Sequence, residues 1–178
     1  YGYKVDVEYI TDITPPDDAT VKSSNELPTN KDVTISISYP SDAVLKEYKV
    51  GENGIWTNYT TPVILSSNTT VFTRSVDEAG NISNPTSFKV ANIDKVAPET
   101  PSISVDASKN IVTLTNVTDV DSGVNETLYS LNAKGWEVYT KTFTLSDGDY
   151  DIQVKTIDNA ENVSKTEVKS FSLYKERL

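Results

Sequence analysis

The chain has 178 residues, enough for one large domain or two of ordinary small size. Its 26 acidic and 16 basic residues leave a net charge of −10, which repels nucleic-acid backbones and anionic lipid headgroups. Neither Cys nor His occurs, which removes disulfides, thiolate nucleophiles, Cys/His zinc sites and a histidine general base.

Taken in chain order, residues 1–14 (YGYKVDVEYITDIT) alternate Tyr1, Tyr3, Val5 and Val7 against Gly2, Lys4, Asp6 and Glu8. They predict a strand that either ends a preceding domain or leads into this one. A first module spans residues 15–94. In VTISISY, Val33, Ile35, Ile37 and Tyr39 share one face while Thr34, Ser36 and Ser38 share the other, the pattern of a strand with one buried side. Turn signals (ENG at 52–54, EAGN at 78–81) separate the further short runs TVFTRSV and TSFKVAN. The linker NIDKVAPETP, residues 92–101, carries two prolines that favour extended chain.

A second module, residues 95–178, repeats the order. VTLTNVT (from Val112) matches VTISISY, and YDIQVKT sets Tyr150, Ile152 and Val154 against Asp151, Gln153 and Lys155. Trp136 aligns with Trp56, Tyr139 with Tyr59, Phe143 with Val63 and Leu145 with Leu65. The stretch DNAENVS (from Asp158) restates DEAGNIS (from Asp77), and the offset between the copies stays at 79 to 81 residues throughout. A steady offset over a whole module marks a duplication. No helical stripe occurs, and several short strands per copy argue for antiparallel β-sandwiches. The fold class is therefore all-β: two tandem immunoglobulin-like antiparallel β-sandwiches joined by a short Pro-containing linker.

Acidity is spread evenly. Residues 15–94 carry 10 acids and 6 bases, residues 95–178 carry 13 and 9, and each module comes to −4. No window approaches the roughly 18 apolar residues of a membrane span. An initiating Met and a signal peptide are both missing, so the chain reads as a segment of a longer protein. Six Asn-x-Ser/Thr sequons fit chance in a chain this rich in Asn and Thr.

Together, the TPP or VAP at each module start, the run YSLNAKGWEVYTKTFTLSDGDYDIQVKTIDNAENVS and the DEAGNIS segment resemble tandem bacterial Ig-like repeats. Such repeats occur on cell-surface and secreted proteins, mostly Gram-positive, and the resemblance covers residues 15–175. It implies an extracellular segment of a cell-wall- or S-layer-associated protein or adhesin. The expected role is a non-catalytic spacer or stalk, a monomer whose partners are neighbouring Ig-like or surface domains of the same chain. Two sandwiches in line would span on the order of 80 Å. Alternative roles are a glycan- or host-protein-binding module and an accessory spacer of a polysaccharide- or peptidoglycan-degrading enzyme. Where the family commonly has Ala-Gly-Asn, the second copy has Glu161 in place of the glycine.

Three groups of residues are candidates for chemistry. The Asp-x-Ala-x-Asn segment reads first as a turn, in which Asp accepts amide protons and Gly or Asn tolerates positive φ. The resemblance adds an interdomain calcium there, recruiting Asp77 and Asp94. Two carboxylates alone fall short of the 6–8 oxygens that calcium needs. The loop DVDSGVNE, with Asp119, Asp121 and Glu126, reads as a Ser-Gly turn or as a calcium loop. Calcium is the one cofactor these clusters admit. Trp56, Tyr59, Trp136 and Tyr139 offer an aromatic platform for glycans, against a reading in which the repeated indole packs on the core. No carboxylate pair combines with a phosphate loop, a nucleophile elbow or a base, so no enzymatic activity is expected. The Lys–Asn isopeptide bonds found in some surface Ig-like domains stay open, since sequence does not show which of these residues are buried.

Overall fold

The computed structural model describes residues 11–174. The strand expected in residues 1–14 thus lies largely outside the described residues, and Thr11–Thr14 carry no regular structure. Two units make up the described chain: residues up to Glu26 together with Asp32–Ala91, and Leu27–Lys31 together with residues from Asn92 on. The division at Ala91/Asn92 falls three residues ahead of the sequence boundary, so Asp94 belongs with the second unit.

The first unit contains β1 (Thr20–Ser23), β2 (Val33–Ser38), β3 (Leu45–Val50), β4 (Thr57–Asn58), β5 (Val63–Leu65), β6 (Thr69–Val76) and β7 (Thr86–Val90). They form a three-stranded sheet, β1-β2-β5, and a four-stranded sheet, β4-β3-β6-β7, all pairs antiparallel. The second unit contains β8 (Ile103–Asp106), β9 (Ile111–Leu114), β10 (Val124–Leu131), β11 (Glu137–Val138), β12 (Phe143–Thr144), β13 (Gly148–Asp158) and β14 (Glu167–Leu173). Its sheets, β12-β9-β8 and β11-β10-β13-β14, repeat the first topology strand for strand. Each unit is an immunoglobulin-like antiparallel sandwich.

The alternation seen in the sequence is what buries each core. On β2, Val33, Ile35 and Ile37 are buried and Ser36 and Ser38 exposed; on β13, Ile152, Val154, Thr156 and Asp158 point in. In the second unit Ile103, Val112 and Leu114 of one sheet pack on Ile152 and Val154 of the other, with Tyr129, Leu131, Tyr139 and Phe143 around them. Each such aliphatic side chain stabilises its sandwich by about 1.5–3 kcal/mol when fully buried. Among the described residues no helix is long and apolar enough to cross a membrane.

The aromatic pairs separate. Tyr59 and Tyr139 reach across to the opposite sheet, where their hydroxyls accept the backbone N–H of Ile37 at 3.0 Å and of Leu114 at 3.2 Å. The tryptophans do not pack on the core as the repeat suggested. Trp56 lies beneath the Arg74 guanidinium, 4.3 Å from its ring centroid, and Trp136, 41% exposed, lies beneath the Lys155 ammonium at 4.2 Å. Arg74 and Lys155 sit at outward positions of β6 and β13, so the indoles cover the solvent face of the four-stranded sheets. Each precedes a strand of only two residues, too short for alternation to fix which face its neighbours take.

Candidate metal centre

The repeated segment is a turn in both copies, built on the same bonds. The Asn81 backbone N–H donates to Asp77 Oδ1 (2.8 Å), and its side-chain amide donates to Asp77 Oδ2 (2.8 Å) and to the Asp12 carbonyl (3.1 Å). In the second copy Asn162 donates to Asp158 Oδ1 (2.7 Å), to Asp158 Oδ2 (2.8 Å) and to the Asp94 carbonyl (3.0 Å). Ser83 and Ser164 then accept the backbone N–H of Ser75 and Thr156. Asp therefore holds the turn, Asn ties it to the chain entering the same unit, and Ser returns it to the strand. The side-chain bond from Asn81, helped by backbone amides, holds the Asp77 carboxyl below the usual aspartate range despite its burial.

The copies differ in what faces that turn. In the second unit one carboxylate oxygen each of Asp94, Asp119 and Asp158 lies within 4.8 Å of the other two. Asp94 stands in the entering segment, Asp119 in the loop between β9 and β10, and Asp158 at the end of β13. Asp119 is fixed by its own loop: its Oδ2 accepts Ser122 N–H (2.9 Å), Ser122 Oγ–H (3.2 Å) and Gly123 N–H (2.7 Å). Gly123 has φ +81°, a left-handed backbone that glycine adopts freely, and a Cβ there would press on Asn159 Nδ2 at 3.3 Å. Asn159 in turn donates to the carbonyls of Ser122 (2.9 Å) and Gly123 (3.1 Å), clamping the loop onto the turn that carries Asp158.

The first unit has Glu78 at the position of Asn159, and its corresponding loop, between β2 and β3, carries only the exposed Asp42. No comparable cluster forms there among the described residues.

Burial and charge conflict in the second unit. Asp158 is fully buried and Asp94 is 4% exposed. Asp94 Oδ1 accepts Val96 N–H at 2.9 Å, whereas its Oδ2 is buried without a hydrogen-bond partner. None of the three has an ion-pair partner among the described residues. Like charges this close repel one another, and positive charge entering the trio would relieve that repulsion.

The other sequence candidates have surroundings of their own. Asp77 is in the first unit with its carboxylate engaged by Asn81, Asp121 is exposed in the β9–β10 loop, and Glu126 lies on β10 opposite Ile157. Sequence reasoning missed Asp158 as a partner of Asp94. The available signal was the repeat itself, since a calcium reading of Asp77 applies equally to its copy Asp158.

No protein-family model and no curated protein matches the chain. Among solved structures it is similar to fibronectin(III)-like modules of Clostridium thermocellum CbhA, at 17% identity and a TM-score of 0.43, covering 86% of this chain and 94% of that one. It is also similar to a chain of a cytokine receptor complex (13%, TM-score 0.35, 88% and 96% covered) and to the D00-D0 domain of Intimin (10%, TM-score 0.34, 85% and 98% covered).

Proposed function

We propose that the chain is a non-catalytic structural spacer of a bacterial cell-surface protein, extracellular and monomeric, carrying neighbouring domains of the same polypeptide. One observation carries this reading: what the duplication copied serves folding in both units. Tyr59 and Tyr139 tie one sheet to the other, and the Asp-Asn-Ser turn closes each sandwich with the same bonds. A recognition surface would need to be kept in only one copy, whereas a scaffold position must be filled in each. Replacing residues 15–174 in the parent protein by two unrelated sandwiches of equal length tests it. Unchanged display and activity of the flanking domains are expected; their loss would overturn the reading.

A second reading, glycan or host-protein binding, is favoured by the exposed position of Trp136. The spacer reading predicts no binding of the purified chain on glycan arrays or cell-wall preparations. Binding abolished by Trp136→Ala, with the variant folded, would establish the second reading instead.

A further inference from the structure

We propose that Asp94, Asp119 and Asp158 bind one divalent cation, with calcium as the ion their chemistry selects. Three observations meet at one place. One oxygen from each of the three carboxylates lies within 4.8 Å of the others, no farther apart than two ligands of one Ca²⁺ can be at metal–oxygen distances of about 2.4 Å. Asp94 Oδ2 is buried and unpartnered, although a buried carboxylate oxygen ordinarily finds a donor. None of the trio meets a lysine or arginine among the described residues, so no side chain neutralises it.

The donors are hard oxygens without nitrogen or sulfur, which suits calcium or magnesium and not zinc or copper. One oxygen from each of the three carboxylates leaves half or more of the 6–8 calcium positions to water and backbone carbonyls. Magnesium demands a tighter, near-octahedral shell and gives up its water reluctantly, so the flexible calcium shell fits better. The hydrogen bonds already made do not compete with the ion. Those to Asp119 converge on Oδ2, and those to Asp158 come from its own turn, so both groups are oriented while acceptor capacity remains. The site is specific to the second unit, because only there do Asn159 and Gly123 bring the β9–β10 loop onto the turn.

Calcium titrated calorimetrically into the chelator-stripped whole chain tests the assignment. One ion per chain is expected, with Kd at or below about 1 mM, and calcium should raise Tm by several degrees. Asp119→Asn keeps an acceptor for the Ser122 and Gly123 amides while removing charge. It should weaken binding by at least about tenfold and lose the calcium-dependent shift in Tm. Asp121→Asn, two residues away and exposed, should leave both unchanged. The assignment is overturned if the folded chain gives neither heat nor a Tm shift up to about 10 mM calcium. It is equally overturned if Asp121→Asn, and not Asp119→Asn, removes the binding.

Discussion

Glu161 occupies the position at which the first copy has Gly80, and both are left-handed, with φ of +70° and +90°. The structure shows that the turn demands the same backbone from both residues and that Glu161 adopts it under strain. A left-handed non-glycine residue costs roughly 1–2 kcal/mol, against which glycine loses about 0.5–1 kcal/mol of chain entropy. Glu161→Gly should therefore stabilise the second unit by about 0.5–1 kcal/mol, read as a higher urea midpoint with an unchanged m-value. No change, or a loss, would contradict the strain.

Tyr39 gives a pH signature at the same scale. Burial, reinforced by Tyr59, Glu47 and Tyr48, pushes its hydroxyl well above the ordinary tyrosine value, and it donates to the Glu47 carbonyl at 2.6 Å. Because the folded pKa is the raised one, this contribution is fully present below about pH 10, the unfolded value, and falls as the pH rises beyond it. Its slope should be less than the about 1.4 kcal/mol per pH unit of an unscreened group, since Tyr39 is only half-buried. Chemical denaturation of wild type and Tyr39→Phe between pH 9 and 11 (about one unit either side of the tyrosine value) should show the extra downward slope in wild type only.

Among the elements, β6 and β13 show how far a period of two carries. β13 was legible from alternation, as were β2 and its buried Val33, Ile35 and Ile37, whereas β6 was legible as a short run between turn signals. Alternation assigns a face but does not require that face to be apolar. β6 turns Thr73 and Ser75 inward, and both hydroxyls are buried without a partner. The second copy has Val154 where the first has Thr73. Thr73→Val should raise the stability of the first unit by about 1 kcal/mol, or some 4–8 °C in Tm, by removing an unsatisfied buried hydroxyl at nearly constant shape. A fall would imply a hydrogen bond to that hydroxyl. The tryptophans were legible as a pair but not by face, because β4 and β11 offer two residues each and the cations above the indoles come from β3, β6 and β13.

Over the whole molecule, the duplication made the two sandwiches and the repeated turn readable. It hid the feature in which the copies differ. Asp94, Asp119 and Asp158 lie in three separate segments and meet only because the entering chain, the β9–β10 loop and the end of β13 converge on one turn. Sequence spacing pairs Asp119 with Asp121 and Glu126, whereas the fold pairs it with Asp94 and Asp158. The small changes that decide this are Asn159 for Glu78 and a Ser-Gly loop for Pro40–Ala43, and neither shows in sequence that Asp119 faces Asp94 and Asp158.

The proposed cation site makes the copied turn a scaffold in both units and a ligand in the second only. Amide hydrogen exchange of the whole chain with calcium and with chelator tests it most directly. Added protection in calcium is expected at residues 94–96, 119–123 and 158–162, with residues 77–83 unchanged. Equal protection of both turns, or none at either, would overturn the calcium site.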